Sequence, residues 1–183
     1  HIMLARARGA GRIAATDVSP FKKAKAGELG AGLVLDARDD VPGRLRAWNN
    51  GRGADLVVVC TGATAAFAQA MKCVDRAGTV LCFATTDPGV DLTVPLNEFW
   101  RNSVTVTSSY ANSPDDLREA MELIRSGAVD VTRLITHRLP LEDTGRGFAM
   151  MTEGADALKI IIDPTLPPVA NGPHEGRGRP CGQ

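Results

Sequence analysis

Short apolar runs alternating with helical patterns constrain the fold of this chain more than any other feature. Ala14 to Asp17 reads as a strand, and Pro20 to Leu29 as a helix that stops at Gly30. Leu33 to Asp36 is a second strand, and Asp40 to Asn50 places Val41, Leu45 and Trp48 at helical spacing before Gly51-Arg-Gly53 breaks it. Ala54 to Cys60 is a continuous apolar run suited to a strand buried on both faces of a parallel sheet. The turn Thr61-Gly62, an Ala-rich helix over 63–74 and a strand over 78–83 follow. Strands and helices in strict alternation predict a parallel sheet with right-handed crossovers and helices on both faces. Ligands of such sheets sit beyond the carboxyl ends of the strands, so Asp17, Thr61-Gly62 and Phe83-Ala84 are expected along one rim.

Asp17 is the most informative residue on that rim. A carboxylate at the tip of a strand that runs straight into a helix can accept hydrogen bonds from both hydroxyls of an adenosine ribose, and its charge repels a 2′-phosphate. The residue therefore argues for NAD. The alternative is helix capping, because Asp, Ser19 and Pro20 are all ordinary helix-start residues.

A Gly-rich phosphate turn is expected roughly 20 residues before such an acid. Only sixteen residues precede Asp17, and His1 to Arg8 reads as the back half of a helix, so the first strand and the phosphate turn are expected upstream of His1. Gly9-Ala-Gly11-Arg-Ile-Ala14 matches G-x-G-x-x-A, yet these glycines follow a helix and open a strand. That setting is a helix C-cap, the reverse of a phosphate turn.

Composition narrows the classes. The 183 residues are 44% hydrophobic, enough for one sizeable core. Lys plus Arg and Asp plus Glu each number 21, so no net charge recommends the chain to nucleic acid or an acidic membrane surface. No apolar run approaches the roughly 18 residues of a membrane span and no signal peptide opens the chain, which predicts a cytoplasmic protein. Cys60, Cys73, Cys82 and Cys181 form no C-x-x-C pair; Cys60 and Cys82 fall in apolar strands and are expected to be buried thiols.

Ser103 to Ser108 alternates Val with Thr and Ser, as a half-exposed strand near a sheet edge does. Ser113 to Ser126 is an amphipathic helix with a Ser-Pro-Asp-Asp start and a Gly127 stop. Beyond residue 133 the pattern changes to Leu134 to Leu139, a helix over 141–151 and Leu158 to Ile162. Three parts are therefore expected: 1–133, a return segment over 134–163, and a disordered tail over 164–183 rich in Pro and Gly.

With these motifs in order, the chain resembles the zinc-containing medium-chain dehydrogenase/reductase family, in its sorbitol, threonine and cyclitol dehydrogenase branch. The landmarks are Asp17-Val-Ser-Pro-Phe-Lys22, Gly53-Ala-Asp55, Cys60-Thr-Gly62, Gly78-Thr-Val-Leu81, Ile135 to Glu142, and Leu158-Lys-Ile160. The resemblance implies a Rossmann-type doubly wound sheet lacking its first strand, plus a C-terminal segment that belongs to a GroES-like catalytic domain not included in the chain. It implies hydride transfer between NAD and a secondary alcohol (a polyol, sugar alcohol or cyclitol, or the matching ketone), with a catalytic zinc whose ligands lie in that other domain. No catalytic or metal-binding residue is expected here, and the chain by itself is expected to be inactive.

Carried over position by position, the resemblance puts Asp17 on the adenosine ribose, Lys22 beside that ribose or its phosphate, and Thr61 and Gly62 on the adenosine side. Cys82, Phe83 and Ala84 would run under the nicotinamide ribose, and Thr107, Ser108 and Ser109 would meet the carboxamide through their backbone. Lys22 reads equally well as a solvated helix-face charge. His137 has no companion at ligand spacing and reads as structural. Phe99 and Trp100 precede the edge strand near Ser103, through which the resemblance suggests a homo-oligomer, although core packing accounts for both rings as well. A zinc-free NADPH-dependent quinone or enone reductase shares the fold, but Asp17 speaks against it. A non-catalytic nucleotide-binding remnant is the third reading.

Overall fold

The computed structural model describes residues 1–152 and 156–167, which fall into two compact units that divide between Asp130 and Val131. In the first, helix α1 (Ile2–Ala7) leads to strand β1 (Ala14–Asp17), helix α2 (Pro20–Glu28), strand β2 (Leu33–Asp36) and helix α3 (Val41–Trp48). Strand β3 (Ala54–Val59), helix α4 (Thr64–Cys73), strand β4 (Val74–Cys82), helix α5 (Leu96–Arg101), strand β5 (Thr105–Ser108) and helix α6 (Pro114–Arg125) complete it.

All the strand pairs are parallel, but they form two sheets, β1-β2 and β3-β4-β5. Among the described residues, β1 and β3 each have a strand on one side only. This is what remains of the doubly wound order 3-2-1-4-5-6 when its first strand is taken out of the middle. Helices hold the two sheets in one unit. Leu35 of β2, Val41 and Leu45 of α3 and Cys73 of α4 form a buried cluster, against which Ala54 and Val57 of β3 pack. A second cluster joins Val59, Val80 and Val104 to Phe67 and Ala70 of α4, and Val80 is fully buried.

The structure corrects one expectation. The run Ala54 to Cys60 is not covered on both faces: Leu56 is 56% exposed, and Cys60, just past the strand, is exposed as well. A continuous apolar run suits a parallel strand whose two faces are both covered by helices, and among the described residues the face that carries Leu56 is left open. Cys82 is half-buried, and the buried thiol among the described residues is Cys73, whose pKa burial pushes up to about 11.

Local chemistry explains the element ends. After α1 the chain turns at Gly9 (φ +82°), where Gly9 N–H donates to Arg6 O and Ala10 N–H to Ala5 O. These two bonds make a Schellman stop, so Gly9 is a C-cap and the run 9–14 leads into β1. Helix α4 passes into β4 without a loop; Val74 pairs with Ala54, then a bulge with Ala77 in the left-handed region (φ 57°) restarts the register at Thr79 opposite Leu56. Strand β4 therefore begins four residues before the expected Gly78. Helix α6 starts with a capping box in which Ser113 and Asp116 satisfy each other's backbone N–H groups. Its apolar stripe, Leu117, Met121 and Ile124, is exposed.

The second unit is built on a parallel pair, β6 (Ile135–Leu139) and β7 (Lys159–Ile162), with helix α7 (Thr144–Thr152) between them. Gly147 of α7 and Leu139 of β6 are buried against each other. Of the tail expected to be disordered over 164–183, residues 164–167 form a turn in which Leu166 N–H donates to Asp163 O, and 168–183 lie outside the described residues. No helix among the described residues is long and apolar enough to cross a membrane.

Candidate functional site

Parallel pairing brings the carboxyl ends of β1 to β5 to one side of their sheets, and the segments that leave those ends form the rim. Backbone bonds extend the β3-β4-β5 ladder past the strands: Phe83 and Ala84 N–H both donate to Val59 O (3.0 and 3.1 Å), and Ser109 N–H donates to Cys82 O (3.3 Å). The expected residues at the ends of β4 and β5 are thereby locked beside one another. Cys82, Phe83, Ala84, Ser108 and Ser109 share an open cavity of about 360 Å³ with Thr85, Leu92 and Tyr110. Thr107 points elsewhere on β5; it is exposed and does not line the cavity.

The turn after β3 is pressed against this cavity's wall. A Cβ on Gly62 would fall 2.4 Å from Thr85 O, so only glycine lets the Thr61-Gly62 turn approach the segment after β4. Both residues of the turn are exposed on the rim.

At the other end of the rim stands Asp17. Its Oδ1 accepts the Ser19 N–H at 2.8 Å, and its Oδ2 has no hydrogen-bond partner among the described residues. Capping of α2 falls to Ser19, whose Oγ accepts the Lys22 N–H, with Pro20 at the first helical position. Asp17 is therefore not needed as the helix cap. The Lys22 side chain is exposed, and among the described residues no hydrogen bond or ion pair joins it to Asp17.

A cluster that sequence reading did not single out adjoins Asp17. Asp36 lies opposite Asp17 in the β1–β2 register. It accepts a two-pronged bond from Arg38 (Nε to Oδ1 and Nη2 to Oδ2, both 2.7 Å), the Arg38 N–H, and Lys23 Nζ at 2.5 Å. The Arg38 guanidinium, then Lys23, hold the Asp36 carboxyl far below the ordinary carboxylate range. Arg38 Nη2 also donates to Val18 O at 3.3 Å, which sets the guanidinium against the segment that carries Asp17. Gln69 of α4 donates to Ala37 O and ties the segment after β2 to the helix that follows Gly62.

The resemblance places the ligands of the implied zinc outside this chain; among the described residues, no group of three or more His, Cys, Asp or Glu side chains is placed to hold a metal ion. His137 Nδ1 lies 3.0 Å from Thr136 Oγ1, in the second unit.

Residues 1–126 match the family described as zinc-binding dehydrogenase. The chain belongs to that family. It is 34% identical over 165 residues to an L-threonine 3-dehydrogenase of Bacillus velezensis, covering 88% of this chain and 47% of the relative. It is 26% identical over 161 residues to an erythritol/L-threitol dehydrogenase of Mycolicibacterium smegmatis, covering 87% and 44%. Its fold superposes on the alcohol dehydrogenase TADH of Thermus sp. ATN1 with a TM-score of 0.81 at 28% identity, over 88% of this chain and 47% of that one. The chain thus spans about half the length of the curated relatives it matches.

Proposed function

We propose that this chain is the cofactor-binding part of a zinc-dependent oxidoreductase that transfers a hydride between NAD and a secondary alcohol of the polyol, sugar-alcohol or cyclitol class. The observation that carries the reading is the Asp17 carboxylate at the tip of β1. One of its oxygens is fixed by Ser19 N–H and the other has no hydrogen-bond partner among the described residues, on the same rim as the cavity at the ends of β4 and β5.

In this reading Asp17 accepts the adenosine ribose hydroxyls and excludes a 2′-phosphate by charge. Thr61 and Gly62 border the adenosine, with Lys22 beside the ribose or its phosphate. The cavity takes the nicotinamide end: Cys82, Phe83 and Ala84 underlie its ribose, and the backbone of the segment from Thr107 to Ser109 holds the carboxamide. The chain's own contribution to hydride transfer is then to fix the cofactor's reactive face and to keep water from part of it. The metal's ligands are not among the described residues, so no step is assigned to it here.

A homo-oligomer formed through β5 is part of the same reading. Strand β5 pairs with β4 alone, and Trp100, just before it, is 74% exposed, whereas Phe99 packs into the core. The NADPH-dependent reductase reading is disfavoured by Asp17.

The test is cofactor reduction by the complete protein with a panel of polyols, cyclitols and simple secondary alcohols. NADH formation that is lost on chelation of zinc is the expected result. Turnover only with NADPH and an enone or quinone would replace the reading with the reductase, and absence of turnover with intact NAD binding would replace it with the non-catalytic module.

A further inference from the structure

We propose that Asp36 is a positioning residue for cofactor specificity: it holds Arg38 and Lys23 in place, so that neither cation can serve a 2′-phosphate on the ribose at Asp17. The inference rests on the reading of Asp17 as the ribose acceptor and extends it to three residues that the sequence did not mark.

The geometry is that of a latch. Asp17 and Asp36 are paired positions at the tips of adjacent strands, which run roughly 4.8 Å apart. Arg38 crosses the tips: two of its donors are bound by the Asp36 carboxylate, and Nη2 also reaches the carbonyl of Val18, the residue after Asp17. A guanidinium presents its strongest recognition surface as a planar two-donor fork, which suits a carboxylate or a phosphate equally. Here the fork is already occupied by Asp36. Lys23 is held on the same carboxylate, so these two cations are directed at one anion.

An adenosine whose 2′-hydroxyl bonds to Asp17 meets one unpaired carboxylate at this end of the rim, and a 2′-phosphate there would be repelled by it while Arg38 and Lys23, which could offset that repulsion, are bound to Asp36. Removing the charge of Asp36 would release the Arg38 fork within a side chain's reach of the 2′ position. Asp36 thus works through Arg38 and does not itself need to touch the ligand.

The test uses titration calorimetry of this chain with 5′-AMP and adenosine 2′,5′-bisphosphate, ligands that occupy only the adenosine end of the site. The wild-type chain should prefer 5′-AMP. Asp36→Asn, isosteric and at a strand tip, should shift the ratio of the two dissociation constants about tenfold toward the bisphosphate, the size of one charge's interaction with a phosphate across a few ångströms of solvated surface. Asp36→Glu, which keeps the charge that binds Arg38, should restore the wild-type ratio, and adding Arg38→Gln to Asp36→Asn should remove most of the gain. A purely structural role for Asp36 would weaken both ligands alike and leave the ratio unchanged, which would overturn the proposal.

Asp17→Ser separates this inference from the reading beneath it. A shifted ratio in Asp17→Ser with an unchanged one in Asp36→Asn would sink the latch alone. An unchanged ratio in both, or no binding of either ligand to the wild-type chain, would sink the latch together with the ribose assignment.

Discussion

Replacing Gly62 by alanine puts the close packing of the rim under the most direct strain. The added Cβ would lie 2.4 Å from Thr85 O and 3.3 Å from Thr85 C, both backbone atoms that cannot swing aside. Ordinary contact begins near 3.4 Å, so the turn after β3 and the segment after β4 must separate by about 1 Å. Overpacking of this kind costs about 1–3 kcal/mol. The loss should register as a lower free energy of unfolding in urea. It should also register in NAD binding, because Thr85 lines the cavity and Gly62 is proposed to border the adenosine side; if the whole cost falls on the bound geometry, the dissociation constant rises roughly 5- to 150-fold. Gly11→Ala is the control, since a Cβ there meets nothing within 4 Å and φ is not in the left-handed region. Parallel denaturation and calorimetry of the two variants are sufficient. A Gly62→Ala chain as stable as Gly11→Ala, with unchanged NAD binding, would refute the claim that the two loops are held together at this point and form the site jointly.

Other outcomes follow from the same structure. Leu35→Ala, at a side chain 1% exposed where β2 meets α3 and α4, should lower stability by about 2–5 kcal/mol in a thermal or urea melt. Gly145→Ala, in helix α7 with open space around its Cβ, should raise stability by about 0.5 kcal/mol. Asp36 binds fewer protons folded than unfolded, because Arg38 and then Lys23 lower its pKa. Its contribution is therefore present above the unfolded value near pH ~3.9 and is lost as the pH falls toward the folded value, so acid melts of Asp36→Asn should show a shallower loss below that point than the wild type. Trp100→Glu should convert an oligomer to a monomer in sedimentation velocity, and an unchanged sedimentation coefficient would move the interface away from β5.

Strands β1 to β5 were legible because each is a short apolar run flanked by a helix with recognisable caps: Ser19 and Pro20, Asp40, Ser113 with Asp116. Gly9 could be separated from a phosphate-binding glycine by its position after a helix, and its two backward hydrogen bonds fit that distinction. The exposure of Leu56 and Cys60 was not legible. Hydrophobicity records the cover a strand is built for, and the run at β3 is built for a covering layer on each face. Helix α5 was missed because six residues after a Pro-rich stretch carry too little periodicity to register. The start of β4 at Val74 depends on a bulge at Ala77 that no local pattern announces.

The site shows the same division. Asp17 stands out because a carboxylate at a strand tip is informative by position alone, and Phe83 and Ala84 followed from the strand before them, whereas Cys82, Ser108 and Ser109 came from the family resemblance. Arg38, Lys23 and Asp36 carried no signal in the sequence, since only the β1–β2 register brings the strand tips Asp17 and Asp36 together. Tyr110 and Leu92 line the cavity through the path of loops, which composition does not encode.

The central claim is that Asp17 reads the ribose of NAD. The most direct measurement is calorimetric titration of the wild-type chain and of Asp17→Ser with NAD and NADP side by side. The account predicts that the wild type binds NAD more tightly than NADP, and that the variant weakens NAD and narrows the gap. Equal binding of the two cofactors by the wild type, or the same preference in Asp17→Ser, would contradict it.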